Sequence, residues 1–302
     1  GDHYRTHLIR AMRHPREYRL DNGDLDLDVF EWTGEGAPVL LLHATGFHSR
    51  CWYQVEAQLP VKHNLAVDLR FHGRSASVGD VDWNLLSADI VLLLERLDLH
   101  DVIGVGHSIG GYLIARAAAR LQGRFRRLIL LDPVITSPET YARARQLCAE
   151  LKVSDHPVSR RKNRWQDASE MFQRFRDREP FSTWQPAVLR DYCDYALHPG
   201  SEKAYRELAC DPLNEASVYL TQAYSDAILE DLPNIRVPVA LLRARFDGIN
   251  LTDLSGSPTW PELASHIPDC TDYYLPDMNH FIPMQNPELV AAHIRAAVQA
   301  GE

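Results

Sequence analysis

The chain has 302 residues, 45% of them apolar and 24% charged, an ordinary globular composition with enough apolar material for a sizeable core. Its formal net charge of −9 argues against a nucleic-acid partner, because binding a phosphate backbone needs a basic face that releases counterions. No apolar run approaches the roughly 18 to 20 residues that span a bilayer, and the opening GDHYRTHLIRAMRHPREYRL lacks the unbroken apolar core of a signal peptide, so no membrane span and a cytoplasmic location are expected.

In chain order, YRLDNGDLDLDVFEWTGEG alternates apolar and polar residues about an Asn-Gly pair, which predicts an antiparallel hairpin at a sheet edge. Four continuous apolar runs follow: PVLLLH (38–43), LAVDL (65–69), VIGVG (102–106) and RLILLD (127–132). Such runs suit strands buried on both faces. Helical spacing appears between them, at 52–59, 84–97 and 112–121. Strand and helix in alternation predict right-handed crossovers and a mostly parallel, doubly wound α/β sheet.

From about 134 to 229 the strand signal stops and the sequence becomes helical and aromatic. Strand-like runs return as VPVALLRA (237–244) and DYYLP (272–276), and a last helix is expected over 287–300. The expected division is therefore a core of residues 1–133 and 230–302 with a helical cap inserted at 134–229. Within it, SRRKNR (159–164) is the one dense basic cluster; it reads as a solvated face, with an anionic substrate group as the second reading. Residues 134–215 carry 13 Lys and Arg against 13 Asp and Glu, so the acid surplus lies elsewhere. The five cysteines, Cys51, Cys148, Cys193, Cys210 and Cys270, form no C-x-x-C pair and read as buried free thiols, with no metal site and no disulfide framework.

The chemistry concentrates at VIGVGHSIGG (102–111). Gly106-His107-Ser108-Ile109-Gly110 matches G-x-S-x-G between a predicted strand and a predicted helix, the context in which a strained turn lifts a serine hydroxyl off a sheet. A dinucleotide reading of Gly104, Gly106 and Gly110 fails on spacing and on its mid-chain position, and no cofactor is expected.

Serine needs a base to take its proton and an acid to orient that base. The chain order Ser, acid, His selects Asp247 in RARFDGI and His280 in DMNHFIP, each just past a predicted strand. Asp132 after LILL is the alternative acid, although Asp132-Pro133 also reads as a strand stop; Asp277 reads as a loop-structuring residue. The oxyanion donors expected are the Ile109 N–H and, from HATGFHSRCW, the N–H of Thr45, with Phe47 as the alternate.

Together these segments resemble the α/β-hydrolase superfamily, specifically its cap-bearing, lipase- and esterase-like serine members. LLLHATGF is similar to the oxyanion stretch, VDLRFHGRS (67–75) to an Asp-x-Arg-Gly-His-Gly-x-Ser turn, GHSIGG to the nucleophile elbow, RARFDGI to the acid turn and DMNHFIP to the histidine loop. Two departures stand out. Ala44 occupies the place of a usual second glycine, and Phe71 replaces the glycine of the Asp68 turn, which predicts a changed turn there; His72 reads as a turn and packing residue.

The resemblance implies a cofactor-independent serine hydrolase acting on an apolar carboxylic ester or lactone. Hydrolysis of a carbon–carbon bond in a vinylogous diketone is the alternative, although His107 stands where such members often have Asn. Acyl transfer, haloperoxidase-like chemistry and a ligand-binding receptor role are lesser readings. Ser108 at the nucleophile position excludes the aspartate-based epoxide hydrolases and haloalkane dehalogenases.

Overall fold

A computed structural model describes residues 13–60, 62–198, 204–250 and 253–301. Residues 1–12, the greater part of the opening stretch compared with a signal peptide, lie outside the described residues. Strands β1 (Arg16–Asp21) and β2 (Asp26–Trp32) form the expected hairpin, paired antiparallel from Arg16↔Glu31 to Asp21↔Asp26. Gly23 turns it at φ +91°, a left-handed conformation that a side chain would strain.

Strand β3 (Glu35–Leu42), the short helix α1 (Tyr53–Glu56) and β4 (Lys62–Val67) come next. Helix α2 (Trp83–Arg96) begins where Asp82 accepts a hydrogen bond from the Asn84 N–H, and it buries Leu86, Ile90, Leu93 and Leu94 at helical spacing. Strand β5 (Val102–His107), helix α3 (Ile109–Arg120) and β6 (Phe125–Leu131) complete the first half.

Between β6 and the next sheet strand run helices α4 (Pro138–Cys148), α5 (Ala168–Phe175) and α6 (Pro186–Tyr195). A small antiparallel pair follows, β7 (Leu197–His198) with β8 (Glu207–Leu208), and then α7 (Pro212–Thr221) and α8 (Ile228–Asp231). The expectation of a wholly helical insertion is corrected by this two-residue pair, which a bridge between Trp165 and Arg206 continues. Two residues per strand leave no apolar alternation to read. Strands β9 (Val239–Ala244) and β10 (Cys270–Leu275) resume the sheet, before α9 (Ile282–Gln285) and α10 (Pro287–Gln299).

The eight-stranded sheet has the order β1-β2-β4-β3-β5-β6-β9-β10. Strand β2 runs antiparallel to both its neighbours, and every pairing from β4 to β10 is parallel. Alternation along the central strands feeds two apolar layers. Leu40 and Leu42 pack with Leu86, Ile90 and Leu113 on one face, whereas Val39 and Leu41 join Ile103, Val105, Val290 and Ile294 on the other. Burial on both faces explains the uninterrupted runs of the sequence, and truncating Leu41 to alanine there costs about 2–5 kcal/mol.

Among the described residues no helix is long and apolar enough to cross a membrane. No cysteine there is bonded to another: Cys51, Cys193 and Cys210 are buried, and Cys148 and Cys270 are half-buried.

Candidate active site

Ser108 sits between β5 and α3 at φ 59°, ψ −117°, outside the conformations that L side chains favour. Two close approaches hold the turn. A Cβ on Gly106 would lie 2.2 Å from the Gly110 carbonyl oxygen, and one on Gly110 would lie 2.2 Å from that of Leu42. Glycine at these two positions is therefore a packing requirement, and the Ser108 N–H is fixed by donating to Leu131 O at 3.0 Å.

The Ser108 hydroxyl donates to Nε2 of His280 at 2.8 Å, and Nδ1 of His280 donates to Oδ2 of Asp132 at 2.6 Å. The carboxylate on Nδ1 selects the tautomer that leaves Nε2 free to accept the serine proton. Asp132 is fully buried, and its other oxygen, Oδ1, accepts from the Ala244 N–H at 2.9 Å and from the hydroxyls of Ser257 and Thr259 at 2.7 and 3.0 Å. A buried carboxylate that accepts from this many donors is held in one orientation.

The expected partner Asp247 is not there. Its side chain is 70% exposed and pairs with Arg245 at 3.1 Å, so the acid facing His280 is Asp132, the alternative acid of the sequence. The reason is local. Asp132 follows β6 in a left-handed conformation, φ 45°, which turns its carboxylate over the end of the neighbouring β9 and onto the histidine loop beyond. The signal is present in the sequence as an Asp at a strand end one strand away from Ser108, but its reading as a strand stop hides it. Asp277 is exposed, as a loop residue would be.

His280 is tied at both backbone groups: its N–H donates to Ser255 O at 2.9 Å, and its carbonyl accepts from Nε2 of His107 at 2.7 Å. His107, the x of G-x-S, thus braces His280, a contact that the motif alone does not suggest. Burial pushes the His107 ring down to about 3, so it serves as a neutral donor.

The loop after β3 presents Thr45 to the cavity. Two buried histidines shape it. His43 donates from Nδ1 to Ala44 O at 2.8 Å and accepts from the Leu69 N–H at 3.0 Å; His72 donates to Arg70 O at 2.9 Å and accepts from the Gly46 N–H at 2.9 Å. Burial lowers both rings to about 3, which keeps each an acceptor. The Gly46 N–H is therefore taken, and the Phe47 N–H donates to Ala44 O at 3.2 Å. Among the described residues the Thr45 N–H has no such acceptor, and neither has that of Ile109, the first residue of α3.

Phe71 adopts φ 74°, the left-handed region that glycine favours, with its ring buried in the core. Asp68 closes the turn around Phe71 by accepting from the Arg74 N–H at 2.9 Å and ties it to the segment after β3 by accepting from the Ser49 N–H at 2.8 Å.

Ser108 and His280 lie in a cavity of about 250 Å³, lined on one side by Phe47 and Phe281 and on the other by Leu151, His156 and Tyr219 from the insertion. Its walls are mostly apolar, the character of a small-molecule site.

The sequence profile of the alpha/beta hydrolase family matches residues 39–293. The chain belongs to that family. It is 30% identical to an sn-1-specific diacylglycerol lipase of Danio rerio over 45% of this chain and 45% of that one. It is 34% identical to the lipase LipV of Mycobacterium tuberculosis over 37% of this chain and 43% of that one. The chain thus spans under half the length of these curated relatives. Among solved structures it is similar to an E-2-(acetamidomethylene)succinate hydrolase, with a TM-score of 0.72 at 20% identity over 95% of this alpha/beta hydrolase and 100% of the other chain. At that identity the likeness concerns the fold.

Proposed function

We propose that this alpha/beta hydrolase cleaves a carboxylic ester or lactone through an acyl-enzyme. The observation that carries the reading is the continuous relay from Ser108 through His280 to Asp132, at 2.8 and 2.6 Å. Ser108 Oγ attacks the carbonyl carbon while its proton passes to Nε2 of His280. The N–H groups of Thr45 and Ile109 stabilise the oxyanion, and the imidazolium is held by Asp132. Collapse of the tetrahedral intermediate expels the alcohol, which takes the proton from His280. Water then attacks the acyl-enzyme by the same route, regenerating Ser108.

The lipase relatives and the apolar cavity support a substrate with an apolar portion, bound beneath a cap formed by residues 134–229. The test is turnover of a graded series of acyl esters and lactones, beside fluorophosphonate labelling, in wild type and Ser108→Ala. Activity and labelling that both disappear in the variant are expected. Ester cleavage that survives Ser108→Ala overturns the assignment, and cleavage of a vinylogous diketone with no ester turnover replaces the reaction with carbon–carbon hydrolysis.

A further inference from the structure

Beside the catalytic cavity lies a second one of about 320 Å³, and Phe47, Tyr219, Leu254 and Phe281 belong to the walls of both. The second chamber is built on rings. Phe175 and Phe181 stack with centroids 4.3 Å apart, Trp165 meets Phe175 edge-on at 5.4 Å, and Tyr192 lies parallel to Phe181 at 6.2 Å. Walls this rich in aromatic rings suit an aromatic or planar conjugated group.

Its charge is as particular as its shape. Arg161, Lys162, Arg174 and Arg178 line the chamber with a single carboxylate, Glu215. Arg161 is neutralised by Glu215 at 2.8 Å and Lys162 by Glu170 at 2.8 Å. Among the described residues no carboxylate forms an ion pair with Arg174, in the last turn of α5, or with Arg178 just beyond it; Glu170, which feels the Arg174 charge, is already bonded to Lys162. Two guanidinium groups without a carboxylate partner thus border an aromatic chamber in a protein whose formal net charge is −9. A positive mouth over low-dielectric walls focuses field onto an anion, and guanidinium groups bind oxyanions bidentately.

Resting on the ester-hydrolase reading, we infer that the chamber is an anion subsite: the substrate carries, remote from the scissile carbonyl, a planar apolar portion ending in a carboxylate or phosphate that Arg174 and Arg178 receive. The basic run at 159–164 is not itself the anion site: of its cations only Arg161 and Lys162 line the chamber, and both are already paired.

The test is equilibrium binding to Ser108→Ala, followed by tryptophan fluorescence or calorimetry, of a phenylalkyl carboxylate, the matching phenylalkyl phosphate and the neutral phenylalkyl amide. At low salt, at least one anion is expected to bind about tenfold more tightly than the amide, and the preference should vanish in Arg174→Gln/Arg178→Gln while amide affinity holds. Whichever anion binds more tightly identifies the terminal group. Equal affinities, no binding of any probe, or a preference unchanged by the double substitution overturns the subsite. Because this readout needs no turnover, it stands apart from ester cleavage. Hydrolysis of neutral esters with no anion preference leaves the proposed reaction and removes the subsite, whereas anion binding without ester turnover does the reverse.

Discussion

His280 takes its carboxylate from Asp132, 2.6 Å from Nδ1, although Asp247 occupies the later position in the chain and lies out in solvent beside Arg245. The two aspartates therefore separate cleanly in an experiment. Asp132→Asn should lower kcat by about a thousandfold or more, because the amide no longer fixes the imidazole tautomer or stabilises the imidazolium. Asp247→Asn loses a surface ion pair worth about 1 kcal/mol at most and should stay within about threefold of wild type. Steady-state kinetics on one ester decides between them, and the opposite ranking would return the acid role to Asp247.

Ser108 holds a backbone conformation, φ 59°, that stores strain. Replacing it with glycine should raise unfolding stability by about 1 kcal/mol relative to Ser108→Ala, while both variants lose turnover. Thermal or denaturant unfolding measures the difference. Equal stabilities would mean that the elbow is relaxed.

His72 touches none of Ser108, His280 and Asp132, yet its ring accepts the Gly46 N–H beside Thr45. His72→Ala frees that group, letting the loop wander and misplacing the Thr45 donor. A fall of about tenfold to a hundredfold in kcat is expected with little change in KM, as befits an interaction that matters chiefly in the transition state. His72→Gln, which can again offer an acceptor, should recover part of the loss. A change confined to KM would point instead to substrate contact.

The rings of His43, His72 and His107 are each pushed down to about 3 by burial. In the unfolded chain each would take a proton near its ordinary value of about 6.5. Above that value both states are neutral and the rings are silent. As pH falls from about 6.5 toward 3 the unfolded state alone is protonated, so each ring withdraws up to about 1.4 kcal/mol of stability per pH unit. Nitrogen-detected NMR of the folded protein should find these three rings neutral at pH 5, and His72→Gln should flatten the acid side of the stability profile. Titration of all three near 6.5 in the folded state would contradict the burial argument.

The sheet is legible in the sequence because its central strands are buried on both faces and bear continuous apolar runs, while α2 and α10 carry their apolar residues at helical spacing. Ser108 is legible for a related reason. The turn needs glycine at positions 106 and 110, where a Cβ would strike backbone, and that demand leaves a local signature. The pair β7 and β8 leaves too little pattern to read, and the sequence does not show that Phe71 takes a left-handed conformation with its ring buried in the core.

What the sequence determined by itself was whatever is encoded within a few residues: the alternation of strand and helix, the elbow and the positions of serine and histidine. What only the tertiary structure decided was which partners meet. Asp132 lies 148 positions from His280, and nothing local marks it, rather than Asp247, as the carboxylate that faces the ring; the choice is made by strand order and by one left-handed residue that aims its carboxylate across the end of β9. The bracing of His280 by His107, and the chamber that gathers Arg174 and Arg178 beside the rings of Trp165, Phe175 and Phe181, arise in the same way, from contacts between segments whose separation along the chain carries no periodic signal.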